Sequence, residues 1–222
     1  MAVNIKAYQS IQQYLGTKKV TLVAVSKTKP INDILALYDL GQRDFGENYV
    51  QELVEKQKQL PADIRWHFIG HLQRNKVKEI AAFVHLIHGV DSRRLLAEIN
   101  KQAIRCNSII PVLLQVHIAR EETKFGLDEA ELKEIINNLS GLNNVAVKGL
   151  MGMATLTENN ETIRTEFRYL RSLYNQLSLP AQPTLTPHPL PLTPYPLSLT
   201  PYTLSLTTLS MGMSSDYHIA VE

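Results

Sequence analysis

The chain has 222 residues and a formal net charge of +2, from 23 lysines and arginines against 21 aspartates and glutamates. This length suits one sizeable hydrophobic core, and the balanced charge gives no electrostatic footprint for nucleic acid. The single cysteine, Cys106, excludes an internal disulfide, and no uncharged apolar run reaches the roughly 18 residues of a membrane span, so we expect a cytoplasmic protein without a membrane partner.

The first segments predict a helix followed by a strand. Residues 1–15 place Tyr8, Ile11 and Leu15 on one side of an amphipathic helix and lack the continuous apolar core of a signal peptide. Residues 20–25 are all β-branched or small apolar types, apart from one leucine, and carry no charge. This run is typical of a strand that is buried on both faces, as in parallel sheets.

A lysine, Lys27, stands at the end of this strand. Because side chains alternate along a strand, Lys27 continues the row of Thr21, Val23 and Val25. A lysine at the mouth of a packed sheet loses water, which lowers its pKa and favours the free amine that Schiff-base formation with an aldehyde requires. The alternative is a lysine that merely marks where the strand emerges into solvent, and this reading fits Lys29 better.

Strand and helix patterns then alternate along the rest of the chain. Pro30 suits the first turn of a helix, and further strands are predicted at residues 43–48, 65–69, 84–90, 109–118, 145–153 and 206–211. Asp91 and Ser92 supply N-cap chemistry for the helix after the fourth strand. At least seven repeats favour a (β/α)8 TIM barrel over an open parallel sheet, although periodicity alone is compatible with both.

Polar residues follow several of the predicted strands. The loops after the strands are where barrel enzymes build their sites. The residues in such positions are Lys27, Asn48, His71, Asp91 and Ser214. The sequence therefore predicts a functional site at that end of the barrel.

The character of the chain changes in a proline-rich segment at about residues 180–205. Eight of the eleven prolines fall between Pro180 and Pro201, and no charged residue occurs from Ser172 to Ser215. A seven-residue repeat is legible there, but prolines at this density exclude a coiled coil. We interpret the segment as an extended or disordered insertion within a single domain spanning residues 1–222, with a ligand for a proline-reading module as the alternative.

Two histidines, His67 and His71, are spaced as metal ligands on a strand could be. No third ligand of matching context accompanies them, so we predict no metal site. His67 is expected to point into the barrel or to stack beside Trp66. His71 follows the glycine that ends the strand and is better placed to line a pocket.

The segment from Ser210 to Ser215 places a glycine and hydroxyl groups where a strand ends and a helix begins. Backbone N–H groups and the helix dipole at such a position favour a phosphate group. An ordinary helix N-cap is the alternative.

Several motifs together resemble one family. They are V-A-V-S-K-T-K-P from Val23, F-G-E-N-Y-V-Q-E from Phe45, W-H-F-I-G-H-L-Q-R-N-K from Trp66, K-F-G from Lys124, G-L-M-G-M-A from Gly149 and S-M-G-M-S-S-D-Y from Ser210. These motifs resemble the pyridoxal phosphate homeostasis proteins, also called the proline synthase co-transcribed or alanine racemase N-terminal-domain-like family.

This resemblance implies a (β/α)8 barrel with pyridoxal 5′-phosphate held as an internal aldimine on Lys27. It also implies that Ser210, Met211 and Ser214 help to hold the phosphate, and that Asn48 and His71 lie around the cofactor. Family members continue into a G-S-x-x-V-R-x-G segment, the eighth strand, which this sequence lacks. We therefore expect a barrel without its eighth strand, and a truncated copy with weakened folding and cofactor affinity is one hypothesis.

Three functions fit these observations. The chain is a carrier that binds and buffers pyridoxal phosphate, a racemase-like enzyme, or a non-functional remnant. Racemisation needs an acid/base group opposite the lysine, which a second domain supplies in the racemases that the family resembles. We favour the carrier, which exchanges its cofactor with apo-enzymes as a monomer or weak dimer and has no demonstrated turnover.

Overall fold

The computed structural model describes residues 3–121, 123–178 and 206–222, and helices and strands alternate through them. The helices are α1 (Ile5–Thr17), α2 (Ile31–Asp39), α3 (Val50–Gln59), α4 (Val77–Ile80), α5 (Arg93–Arg105), α6 (Glu129–Asn137), α7 (Asn160–Ser178) and α8 (Tyr217–Ala220). The strands are β1 (Ala24–Val25), β2 (Asp44–Glu47), β3 (Arg65–Phe68), β4 (Leu86–Val90), β5 (Ile110–Gln115), β6 (Val145–Met151) and β7 (Thr208–Ser210). The predicted order of elements is confirmed.

The seven strands form one parallel sheet in which the spatial order follows the chain order. The sheet is curled. The evidence is a contact between the side chains of His88 on β4 and Ser210 on β7, although two strands lie between β4 and β7 in the sheet. A flat sheet would hold these two strands about 14 Å apart, at roughly 4.8 Å for each step. The barrel-type architecture is therefore confirmed over an open sheet, and within the described residues it is built from seven strands.

Aromatic contacts join the first and last helices. The ring of Tyr14 on α1 lies 6.1 Å from that of Tyr217 and 5.0 Å from that of His218, measured between centroids, and both partners belong to α8. The two ends of the curled sheet are thereby held together through their helices.

Side chains on the two faces of the sheet form two cores. Phe45 and Trp66 are register partners on neighbouring strands, and both join the large cluster between the sheet and the helices. The alternate positions point to the inside of the curl, where Leu86, Leu113 and Met151 form a small separate cluster. Alternation along each strand thus separates a helix-facing core from an inner face that is free to carry polar groups.

The prediction for the first strand is wrong in length and in burial. Only Ala24 and Val25 are in the strand, and Val25 is 50% exposed while Val20 is 42% exposed. The N–H of Val20 donates to the carbonyl oxygen of Leu15, so Val20 caps the C-terminal end of α1 and is not paired in the sheet. Among the described residues β1 pairs only with β2, and an edge strand lacks the second neighbour that would bury it.

Smaller differences concern the starts of helices. The helical segment after β3 begins as a 3₁₀ turn at Arg74–Lys76 before α4. The N-cap prediction at Ser92 is confirmed, because its hydroxyl accepts from the N–H of Leu95 at 3.3 Å. The proline-rich segment lies outside the described residues. Each helix that the structure describes is either too short or too polar to traverse a lipid bilayer.

Candidate functional site

The residues expected to form the site follow strands that all run in the same direction. Lys27 follows β1, Asn48 follows β2, and His71 lies three residues beyond the last residue of β3. Ser210 is the last residue of β7. Because the strands are parallel, their carboxyl ends meet at one edge of the sheet, and the structure places all four residues at that edge.

Lys27 lies in a tight turn from Ser26 to Lys29. The N–H of Lys29 donates to the carbonyl oxygen of Ser26 at 2.9 Å, and Thr28 has φ of 60°. This is the position of a β-turn where glycine or asparagine is normally needed, and a β-branched residue there costs about 1 to 3 kcal/mol. The side chain of Lys27 is exposed, so its expected burial in an apolar row is wrong.

A buried ion cluster lies directly beside this turn. Lys56 of α3 donates to Glu47 at 2.7 Å, to Glu52 at 2.6 Å and to the carbonyl oxygen of Ser26 at 2.6 Å. Lys56 is 5% exposed and Glu47 is fully buried. Burial raises the pKa of Glu47 above its usual value, although the hydrogen bonds from Lys56 and Ser26 oppose this effect.

The side chain of Asn48 presents a free acceptor at the same edge. Its Oδ1 atom is buried and has no hydrogen-bond partner among the described residues. The segment that follows β3 approaches the Asn48 backbone closely, because a Cβ atom on Gly70 would overlap the Asn48 carbonyl oxygen. A buried, unsatisfied amide oxygen costs free energy unless a ligand or water hydrogen-bonds to it.

His71 lies at the mouth of the barrel between two contacts. Its Nδ1 atom is 2.9 Å from a carboxylate oxygen of Asp91, and its ring stacks on Phe125 with centroids 4.0 Å apart. His71 also borders a cleft of about 720 Å³ that Arg74 and Arg94 help to line. This cleft lies between the loops after β3 and β4 and not beside Lys27, so we do not place the predicted site in it.

A hydrogen-bonded chain of side chains crosses the inner face of the sheet. His67 Nε2 is 3.0 Å from Asp44, His67 Nδ1 is 2.9 Å from His88 Nε2, and His88 Nδ1 is 2.9 Å from the hydroxyl of Ser210. Burial alone would raise the pKa of Asp44, but hydrogen bonds from His67 and Arg65 outweigh this effect and hold the pKa well below its usual value.

The charge of Asp44 sets the direction of this chain. With both imidazoles neutral, His67 donates to Asp44, His88 donates to His67, and Ser210 donates to His88. Burial, followed by repulsion from neighbouring histidines, lowers the pKa of His88 to about 3, which favours its neutral form. If the Ser210 hydroxyl donates to an anion instead, Nδ1 of the neutral His88 loses its hydrogen-bond donor.

Two buried polar residues and one exposed histidine have the composition of a metal site. The ligand atoms of Asp44, His67 and His85 lie within 4.8 Å of one another. Arg65, however, binds both carboxylate oxygens of Asp44, at 2.7 Å and 2.5 Å. A divalent cation would have to displace this guanidinium, so the geometry favours an ion pair at Asp44.

The turn after β7 differs from the expected phosphate cradle. Met211 packs against the main core, and Ser214 is exposed. The N–H of Met213 donates to the carboxylate of Asp216, which is itself buried. The helix that follows has four residues, so the strong helix dipole on which the prediction relied is absent here.

Sequence reasoning missed Glu52, Lys56 and His88. A signal for Lys56 exists, because it follows Val50 and Leu53 at helical spacing and therefore falls on the buried face of α3. His88 carries no such signal, since a histidine on a strand is equally compatible with either face.

Comparisons with known proteins agree with this architecture. A sequence model of the family described as alanine racemase, N-terminal domain, matches residues 5–188. The pyridoxal phosphate homeostasis protein of Aquifex aeolicus is 38% identical over 208 residues, which cover 93% of this chain and 82% of that protein.

Two solved structures extend the comparison to the fold. PipY of Synechococcus elongatus PCC7942 is 33% identical, and the match covers 97% of this chain and 92% of PipY. The TM-score is 0.82 for the structure without pyridoxal phosphate and 0.79 for the structure with it bound.

Proposed function

This chain belongs to the alanine racemase N-terminal domain family, and from that premise we propose that it binds pyridoxal 5′-phosphate and acts in the homeostasis of that cofactor. The observation that carries the proposal is the likeness to PipY with pyridoxal phosphate bound, which extends over 97% of this chain. The relative from Aquifex aeolicus, named a pyridoxal phosphate homeostasis protein, supports the same reading.

The groups present at the carboxyl edge fit this cofactor. Bound pyridoxal phosphate supplies an aldehyde that a lysine amine captures covalently, together with a phosphate that hydrogen-bond donors hold. Lys27 offers an exposed primary amine there, and Asn48 offers a buried oxygen without a partner among the residues that the structure describes. We propose Lys27 as the attachment residue, Asn48 and His71 beside the ring, and Ser210, Met211 and Ser214 beside the phosphate.

The neighbours of Lys27 and His71 restrict the orientation of these two side chains, which supports the proposal. The turn from Ser26 to Lys29 fixes where the Lys27 side chain leaves the backbone. Phe125 covers one face of the His71 ring, and the hydrogen bond with Asp91 fixes its rotation. Phe125 and Asp91 lie on loops other than that of His71, and together they hold the His71 ring in one plane at the barrel mouth.

We favour a carrier over a racemase. Racemisation requires proton exchange on both faces of a substrate carbanion, and therefore an acid/base group opposite Lys27. The alanine racemase of Bartonella henselae is 18% identical with a TM-score of 0.61, a likeness that concerns the fold alone. Apo-enzymes that receive the cofactor are the proposed partners, the cytoplasm is the proposed location, and we expect a monomer or weak dimer.

The test is reductive trapping followed by mass mapping. Wild-type protein is incubated with pyridoxal phosphate and reduced with borohydride, and the labelled peptide is identified. We expect the label on Lys27, with loss of the visible absorption of the bound cofactor in Lys27→Ala and no loss in the matched control Lys29→Ala. A label that persists in Lys27→Ala would exclude the assignment, and formation of D-alanine from L-alanine by the loaded protein would favour the racemase.

A further inference from the structure

We infer that Glu52 and Lys56 are positioning residues that hold Lys27 ready for covalent attachment, by binding the peptide groups on its two sides. The inference rests on the proposed function and concerns how the attachment residue is oriented. Neither residue forms a hydrogen bond or an ion pair with the Lys27 amine. They act on the backbone from α3.

The contacts enclose Lys27 from both directions along the chain. On the preceding side, Lys56 Nζ donates to the carbonyl oxygen of Ser26 at 2.6 Å. On the following side, Glu52 Oε1 accepts from the N–H of Thr28 at 2.6 Å. Lys56 and Glu52 also bind each other at 2.6 Å, so the two contacts form one unit.

The conformation of Thr28 explains why such a unit is needed. Its φ of 60° lies in the left-handed region, which a β-branched residue adopts only when its surroundings impose it. In this left-handed conformation the Thr28 N–H donates to Glu52. Without that bond Thr28 is free to return to an ordinary negative φ, which rotates the peptide group between Lys27 and Thr28. The side chain of Lys27 would then leave the backbone in a different direction.

The burial of the ion cluster supports the same conclusion. Glu47 accepts from Lys56 and, at 2.7 Å, from the hydroxyl of Ser26, and it belongs to β2 of the sheet. Burying these charged groups carries a desolvation cost that apolar side chains of similar size would avoid. What the cluster provides in return is a fixed geometry, since it ties α3, β2 and the Lys27 turn to one another.

The first experiment compares Glu52→Ala with Glu52→Gln and with Glu55→Ala, an exposed glutamate on the same helix. The rate of attachment of pyridoxal phosphate to Lys27 is measured by absorbance and by borohydride trapping, and hydrogen exchange is measured at the Thr28 amide. Attachment requires the left-handed turn in this inference, and loss of one charge-assisted hydrogen bond lowers the population of that turn, and with it the rate, by roughly tenfold. We therefore expect about tenfold slower attachment and faster exchange in Glu52→Ala, partial recovery in Glu52→Gln, and no change in Glu55→Ala.

The second experiment separates geometry from charge. If Glu52 acts by keeping Thr28 left-handed, a glycine at position 28 makes it dispensable, because glycine adopts positive φ without strain. We expect Glu52→Ala to slow attachment markedly in the wild-type background and by less than about threefold in the Thr28→Gly background. An equal slowing in both backgrounds would overturn the inference.

Failure of this inference differs from failure of the proposed function. Trapping at Lys27 in the wild type, with unchanged rates in folded Glu52→Ala, would refute the positioning role and leave the cofactor proposal intact. Absence of any label at Lys27 in the wild type would refute the cofactor proposal itself. Hydrogen exchange at Thr28 reports on the turn in either case, since it requires no cofactor.

Discussion

The buried histidine His88 makes the stability of the fold sensitive to mild acid. Its pKa is lowered from 6.5 to about 3 by burial and by repulsion from His67 and His85. In the unfolded chain the same histidine titrates near 6.5. Between pH 8 and pH 5 the unfolded chain therefore takes up a proton at His88 that the folded chain does not, which favours unfolding.

The magnitude follows from these two pKa values. The stability that His88 contributes is fully present above about pH 6.5 and is lost as the pH falls toward 3, and at pH 5 the accumulated loss is about 2 kcal/mol. Asp44 adds little in this window, because its carboxyl group is ionised at pH 5 in the folded and the unfolded chain alike. Glu47 acts in the opposite direction, since its raised pKa favours the folded state as the pH falls.

The comparison of wild type with His88→Gln isolates the histidine, because Glu47 is present in both proteins. Urea unfolding is followed by the fluorescence of Trp66, the single tryptophan, which is buried. We expect the loss of unfolding free energy between pH 8 and pH 5 to be about 2 kcal/mol smaller in the variant. An equal loss in both proteins would refute the reasoning, whatever the absolute stability of the variant.

Two further predictions concern packing and charge. Gly149→Ala should destabilise the fold by roughly 3 kcal/mol in urea unfolding, because the new Cβ would overlap a carbonyl oxygen of β7. The control is Gly16→Ala in α1, where the Cβ meets open space, and this change should stabilise the fold by about 0.5 kcal/mol. Similar effects of the two changes would contradict this reasoning. Arg65→Met should move the acid-unfolding midpoint to higher pH, because Asp44 then loses a hydrogen bond that keeps its pKa low and the linked stability disappears earlier as the pH falls. The exposed Arg93→Met serves as the charge control, and an unchanged midpoint in Arg65→Met would show that the ion pair is unimportant.

Much of the fold was predictable from local pattern. The alternation of strand and helix signals identified β2 to β7 to within a few residues, because each signal depends on side chains a few positions apart. The first strand was the exception. Its apolar residues satisfy strand propensity from Val20 onward, but the N–H of Val20 caps the end of α1, and β1 lies at an edge of the described sheet.

The site was less predictable. The motif around Lys27 indicated the lysine, and the place of Lys27 after a strand is as expected, whereas its exposure is not. The roles of Glu52 and Lys56 could not be inferred, since their partners Ser26 and Thr28 lie 24 or more residues away in the chain. The assignment of cofactor contacts stays a prediction.

Strand and helix order, and the edge at which the candidate residues gather, followed from amino-acid periodicity, because parallel strands joined by helices leave few alternatives. The polar chain from Asp44 to Ser210 depended on the curl of the sheet, which brings β4 against β7 across two intervening strands. The left-handed turn at Thr28 likewise depended on α3, which comes later in the chain and packs against this turn. Contacts of this kind are through-space, and no local sequence signal encodes them.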